Sequence, residues 1–382
     1  MTIYLPFEIL TAIFEELDDV RDIWHIRTAN RTFCAAATPI AFRILSVITT
    51  KGSAQNLGRL FAVPDIAAHV REVTFHDTDT DRKGRALKSS AVHELASSFS
   101  RFHQLPRLET INLTFYPSYG NRLDGGSLAL QSSVLGALAS SFSVRAPKLM
   151  SLSLHNLRAS DLSPLESPSF QTVLTTLRHF QLSVLFDGFE RWCNFWGTLC
   201  PRTILAPMQH SLTELTLHSD ANVGALSELS FAGLHFPHLC ALSLRMVIFE
   251  PSVGAKQFIL RHAATLARLE LLVCKLPADP DMFLSPSPTA HARDESGYCR
   301  WEHIWDRFAA ELTALVALHV DERRSDRWGR TNSEFRYVRP DLEKMTYRET
   351  YTLARRNAAD AAALRRFHLT VATRSKEARG DS

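Results

Sequence analysis

One spacing recurs along this chain and limits its fold more than any other feature: apolar-x-x-apolar-x-apolar. It occurs at Phe42/Leu45/Val47, Val70/Val73/Phe75, Leu108/Ile111/Leu113, Leu149/Leu152/Leu154 and Leu177/Phe180/Leu182. It continues at Leu212/Leu215/Leu217, Leu239/Leu242/Leu244, Leu266/Leu269/Leu271, Leu315/Leu318/Val320 and Leu364/Phe367/Leu369. The last two apolar residues of each unit alternate with period two, as in a short strand that buries one face. The segments between them read as helices. Trp301, Trp305, Phe308, Leu312 and Leu315 follow helical spacing, as do Phe189, Trp192 and Trp196. Such aromatic stripes belong to a core; the alternative is that Trp192 and Trp196 form an exposed anchor for a partner. The expected fold class is therefore α/β, a strand–helix repeat with a parallel, curving sheet.

Leucine supplies 51 of 382 residues, and successive units start 27 to 49 residues apart. Four intervals fall within the roughly 20–29 residues of a leucine-rich repeat, and the others need insertions. No Asn or Cys recurs after the strand. The units thus resemble irregular leucine-rich repeats, expected over 46–372. Loop insertions are expected near 276–300, rich in proline, and near 323–348. Residues 373–382 are expected to be a disordered tail.

Residues 1–45 follow a different pattern. Leu5-Pro6 opens a segment that places Ile9, Ile13, Phe14 and Leu17 on one helical face, with Pro6 suited to the first turn. A second stretch brings Asp22, Ile23, Ile26, Asn30 and Phe33 and is expected to end at Pro39. Three short helices with an apolar face are too small to stand alone and should dock on something. The order Leu5, Pro6, Glu8, Ile9, Leu10, Ile13, Phe14, Leu17, Asp22, Ile23 and Arg31 resembles an F-box, departing at Ala29 and Phe33 with apolar residues.

An F-box followed by leucine-rich repeats is, by this resemblance, the arrangement of substrate receptors in SCF-type ubiquitin ligases. The resemblance implies docking on a Skp-type adaptor, and through it on a cullin, by Leu5, Pro6, Glu8, Ile9, Ile13, Phe14, Leu17, Asp22, Ile23, Ile26, Asn30 and Phe33. The repeats would bind a target protein whose identity the sequence does not name, and the chain would supply no chemistry of its own. A second reading is a non-degradative scaffold, and a capping role for the amino-terminal helices is the plain structural one.

Composition narrows the classes further. Lys and Arg number 43 against 40 Asp and Glu, and the charged fraction is 22%. That balance does not announce a nucleic-acid partner, and no apolar run reaches the length of a membrane span. Acidic residues in the first twenty positions argue against a secretory leader, so a cytoplasmic or nuclear location is expected. The six cysteines are scattered, with no CxxC pair, and no cofactor is expected. Asp77-Thr78-Asp79-Thr80-Asp81 imitates a calcium loop but has Arg82 and Lys88 where glycine and glutamate are needed. His235 and His238 have no third metal ligand near them, and no phosphate loop or nucleophile elbow occurs. Ser285-Pro286 and Ser287-Pro288 could accept proline-directed phosphorylation.

The strand positions outside the buried face are polar: Thr74, Asn112, Ser153, Gln181, Thr216, Ser243, Glu270, His319 and His368, and after each last core residue His76, Thr114, His155, Ser183, His218, Arg245, Leu272, Asp321 and Thr370. From these, His155, Gln181, His218 and Arg245 are the candidate target-binding residues.

Overall fold

The structure, a computed structural model, describes residues 5–17, 19–78, 89–117, 125–160, 162–278, 300–321, 337–341, 346–350 and 354–380. The calcium-like loop beyond Thr78 and both Ser-Pro pairs lie outside these residues. The chain divides into two compact units, Met1–Leu157 with Asp161–Leu177, and Arg158–Ser160 with Arg178–Ser382.

The first unit opens with three helices, α1 (Phe7–Glu15), α2 (Val20–Arg27) and α3 (Arg31–Ala41). Pro6 stands at the N-cap of α1, and its carbonyl accepts the Leu10 N–H at 3.1 Å. Asp19 caps α2 by accepting the Arg21 N–H at 2.8 Å, and Asn30 caps α3 by accepting the Phe33 N–H at 2.8 Å. Each cap satisfies an amide that the helix itself leaves unpaired. α3 passes through Pro39 and closes two residues later. Proline removes one hydrogen bond there, but Ala36, Ala37 and Ala41 are buried with Leu10, Phe14 and Ile23, and that packing holds the last turn.

Strands and helices then alternate through β1 (Ile44–Ile48), α4 (Lys51–Phe61), α5 (Pro64–Ala67), β2 (Glu72–His76), α6 (Ser89–Phe99), β3 (Thr110–Thr114), α7 (Gly125–Val144), β4 (Ser151–Arg158) and α8 (Pro168–Leu174). The strands are parallel. Val73 pairs with Leu45 and Ile111, and Ile111 with Leu152; Phe75 pairs with Val47 and Leu113, and Leu113 with Leu154. These are the core positions of the repeat, so the sequence spacing and the sheet register coincide. Beneath the sheet, the Phe75 ring meets Phe99 of α6 edge-on at 5.5 Å.

The second unit contains β5 (His179–Leu185), α9 (Phe189–Asn194), β6 (Glu214–Ser219), β7 (Ala241–Arg245), α10 (Ala255–Arg261), β8 (Arg268–Leu272), β9 (Leu276–Pro277), α11 (Trp301–Glu311), β10 (Ala317–Asp321), β11 (Tyr337–Asp341), β12 (Thr346–Thr350) and α12 (Ala354–Arg379). Five strands are parallel here, with Phe180, Leu215, Leu242, Leu269 and Leu318 in one register row and Leu182, Leu217, Leu244, Leu271 and Val320 in another. The two units together carry nine parallel repeat strands among the described residues, four and five. Trp192 and Trp196 are buried, as are Trp301, Trp305 and Phe308, so both aromatic stripes are core. After α9 the chain continues from Phe195 to Leu205 as a π-helix that contains Pro201.

The tenth repeat unit is not a strand. Leu364, Phe367 and Leu369 lie in α12. Ala363, Phe367 and Val371, four residues apart, are buried, and the Phe367 ring stacks 6.2 Å from Trp305, whereas Leu369 is 70% exposed. Helical burial at i, i+4 and i+8 won over a short alternating pattern that fitted both periods. His368 and Thr370 are therefore helix residues too. The expected tail is helical to Arg379, because Arg374 reaches back to the carbonyls of Leu312 at 2.8 Å and Ala309 at 2.6 Å. Within the second expected insertion, β11 and β12 pair antiparallel and β9 joins β11 in parallel; residues 279–299 and 322–336 fall outside the described set.

One repeat device was not visible as a motif. Residues at or just beyond the carboxyl ends of the strands bond to the neighbouring repeat, but with changing chemistry. Thr49 donates to the Asp77 carboxylate at 3.0 Å, Asn156 Nδ2 donates to the Phe115 carbonyl at 3.0 Å, Asp220 accepts the Phe186 N–H at 2.8 Å, and Cys274 Sγ donates to the Leu244 carbonyl at 3.4 Å. A search for a recurring Asn or Cys misses a role that several polar side chains share. Asn156, Met246 and Val273 each stand two residues after a last core position, and each takes a positive φ of 53° to 62°. The left-handed residue lies within β4 at Asn156 and just beyond β7 and β8 at Met246 and Val273.

Candidate functional site

α1 presents two apolar stripes, not the single face expected. Leu10 and Phe14 turn inward and are buried, with Leu17 packed against them. Ile9 and Ile13, one helical turn apart, point outward with Leu5 and Phe7, and on α2 Trp24 joins the exposed set. These five side chains are between 39% and 48% exposed. Trp24 is held in place: its ring meets Phe42 edge-on at 5.0 Å, and the Arg27 guanidinium sits 5.2 Å from the Trp24 ring centroid and 4.9 Å from that of Phe42.

The residues assigned to adaptor contact divide by environment. Leu5, Pro6, Glu8, Ile9, Ile13 and Asp22 are exposed. Phe14 and Ile23 belong to the helix core, Leu17, Ile26 and Phe33 pack against it, and the Phe33 ring meets Phe14 edge-on at 5.7 Å. Asn30 spends its carbonyl oxygen on the α3 cap. Sequence reasoning missed Phe7 and Trp24. Their signal was an apolar residue off the buried spacing, which periodicity alone discounts.

On the open face of the strands, each unit carries its own polar row. In the first unit, His76, Thr114 and His155 stand in register across β2, β3 and β4. Burial, with the nearby His76 adding to it, holds the His155 imidazole below its ordinary value. In the second unit, Gln181, Thr216, Ser243, Glu270 and His319 form one row, and Ser183 and His218 pair in the next. His218 Nε2 lies 2.9 Å from Ser243 Oγ, which donates to Glu270 Oε2 at 2.5 Å; His319 Nε2 is 3.9 Å from the other Glu270 oxygen. Since the single hydroxyl proton of Ser243 goes to the carboxylate, His218 must be the donor to Ser243. A serine primed for attack needs the opposite order, with the imidazole accepting. The row is a hydrogen-bonded surface.

Beside this row lies a groove of about 350 Å³ lined by Thr216, Ser243, Glu270, His319 and the ion-paired Glu214 and Arg268. Of the four residues expected to bind a target, His155 belongs to the first unit and Gln181, His218 and Arg245 to the second, and none of them lines the groove. His218 reaches it only through Ser243. Arg245 is exposed at the end of β7.

His235 is exposed and stacks on His262 with ring centroids 5.3 Å apart. Among the described residues no three His, Cys, Asp or Glu side chains gather as a metal-ligand set, and no helix is long and apolar enough to cross a membrane. The five described cysteines are free thiols. Burial raises the Cys200 thiol far above its ordinary value and pushes Cys274 up to about 12, which leaves both as weak nucleophiles. No protein-family model and no curated protein matches this chain.

Proposed function

We propose that this chain is the substrate-recognition subunit of an SCF-type ubiquitin ligase, with α1–α3 acting as an F-box and the strand repeats, read as irregular leucine-rich repeats, holding a target protein. The observation that carries the reading is the exposed apolar set Leu5, Phe7, Ile9, Ile13 and Trp24 on helices whose own core is already filled. Helices that served only to cap the sheet would turn those side chains inward. Left in water, each isoleucine forgoes roughly 2 kcal/mol at about 25 cal/mol per Å², so a partner groove that accepted the face would gain several kcal/mol. The resemblance of the order Leu5-Pro6 through Arg31 to an F-box implies the partner class, a Skp-type adaptor bridging to a cullin. The role of the chain is then to tether: it raises the concentration of a target near the ligase without doing chemistry itself.

Cullin co-assembly tests this. The full-length chain, expressed with a Skp-type adaptor and a cullin, is expected to bring down both, and the cullin is expected to be lost when the adaptor is left out. Adaptor capture without cullin would favour the scaffold reading instead.

A further inference from the structure

The groove on the open face of the second unit is shaped by one register row, Glu214, Ala241, Arg268 and Ala317 across β6, β7, β8 and β10. Long charged side chains alternate there with methyl groups. Glu214 and Arg268 stand two strands apart, roughly 9–10 Å of sheet, and form their ion pair across Ala241. The two alanines leave room that larger side chains would fill. At about 350 Å³ the space falls at the low end of the roughly 300–1,000 Å³ of ligand sites, enough for one long side chain.

The next row sets the charge. Two carboxylates line the groove against one guanidinium, and Glu214 is already matched by Arg268. Glu270 is not. Its Oε2 accepts the Ser243 hydroxyl at 2.5 Å, and Ser243 Oγ lies 2.9 Å from His218 Nε2, so side chains of β6 and β7 fix the carboxylate from one side. Its Oε1 accepts no hydrogen bond among the described residues, since His319 Nε2, at 3.9 Å, stands outside hydrogen-bond reach. No described lysine or arginine pairs with it. The Glu270 side chain is 39% exposed, so a ligand can reach that oxygen. A glutamate that only kept the sheet in water would need no such anchoring, whereas a binding group gains from being held in place beforehand.

A fixed carboxylate with one open oxygen, beside space floored by methyl groups, suits a cation on a flexible stem. An acidic ligand would have to displace Glu214 from Arg268. We infer that this groove takes one basic side chain, lysine or arginine, of the target protein, with its charged head on Glu270 Oε1; that the ligand is a target rests on the receptor reading. The methylene stem lies along Ala241 and Ala317, and Ser243 is a positioning residue that keeps the carboxylate turned to the groove.

The test uses the full-length chain with labelled alanine methyl groups, observed by NMR. The acetylated amides of lysine, arginine, norleucine and glutamate are titrated into the millimolar range at constant ionic strength. The Ala241 and Ala317 methyl signals are expected to shift saturably. Lysine and arginine are expected to bind at least about threefold more tightly than norleucine, the modest gain of a partly exposed ion pair. Glu270→Gln, which keeps an acceptor for Ser243, is expected to erase that preference without changing the urea midpoint. Ser243→Ala is expected to weaken the two basic probes and leave norleucine unchanged, a selective effect that a merely structural role would not give. Equal binding of lysine and norleucine, no saturable shift at either methyl, tighter binding of the glutamate amide, or a basic preference that survives both substitutions would overturn the inference. The ligase reading stands or falls separately, because adaptor capture uses α1 and α2 and these methyl signals report on the second unit alone.

Discussion

His262 shows how one buried side chain ties stability to pH. Its Nδ1 lies 2.7 Å from the Phe258 carbonyl and its Nε2 2.9 Å from the Phe236 amide nitrogen. The carbonyl can only accept and the amide can only donate, so the ring is neutral with its proton on Nδ1. Burial is the largest influence on its pKa, which is lowered. The unfolded chain therefore binds a proton near pH 6.5 while the folded chain refuses it until lower pH, so the contribution of His262 is complete above about pH 6.5 and is lost as pH falls toward the folded value. Urea unfolding at pH 7.5 and 5.5 should show the wild type losing stability at the lower pH and His262→Gln losing less. An equal loss in both would remove His262 as the cause. This role was not legible in the sequence, where His262 is one of 16 histidines and nothing marks its two backbone partners.

At the scale of elements, the strands were the legible part. Leu-x-Leu alternation fixes which side of a strand is buried, and parallel pairing in register then follows from stacking equivalent units. α12 was not legible, because its spacing at 364, 367 and 369 satisfies a strand template while the deciding contacts come from α11. Those contacts include a buried polar node: Asp360 accepts the Tyr337 hydroxyl at 2.9 Å and the Glu302 N–H at 2.9 Å, while the Tyr337 oxygen accepts the Trp301 N–H at 3.3 Å. One carboxylate thus joins α11, α12 and β11, and burial is the main reason its pKa is raised. Asp360→Ala would remove both of the bonds its carboxylate accepts, a cost of about 2–3 kcal/mol. Denaturant unfolding should show a lower midpoint, and a midpoint equal to wild type would mean that the node contributes nothing. The cross-repeat bonds at the strand ends were illegible for a different reason. Thr49, Asn156, Asp220 and Cys274 do the same job with different atoms, so no single letter repeats.

For the whole molecule, the sequence resolved an amino-terminal helical module and an array of strand repeats, and the structure adds which residues face outward. The expected adaptor set mixed surface and core: Ile9 and Ile13 are free to meet a partner, whereas Phe14 and Ile23 hold the module together. Hydrophobic periodicity could not separate them, since the two stripes of α1 are adjacent and equally apolar. The candidate groove shows the same limit, since Thr216, Ser243, Glu270 and His319 come together only through the strand register. In the proposed reading, adaptor binding falls to α1 and α2 and target binding to the strand repeats, with no residue shared between them. Calorimetric titration of the purified full-length chain with a purified Skp-type adaptor tests the proposed docking of α1 and α2, using Ile9→Asp/Ile13→Asp as the comparison. A stoichiometric complex is expected for the wild type and at least about 100-fold weaker binding for the double variant, with thermal unfolding unchanged because both positions are exposed. A folded wild-type chain that binds no adaptor, or a double variant that binds as tightly, would contradict it.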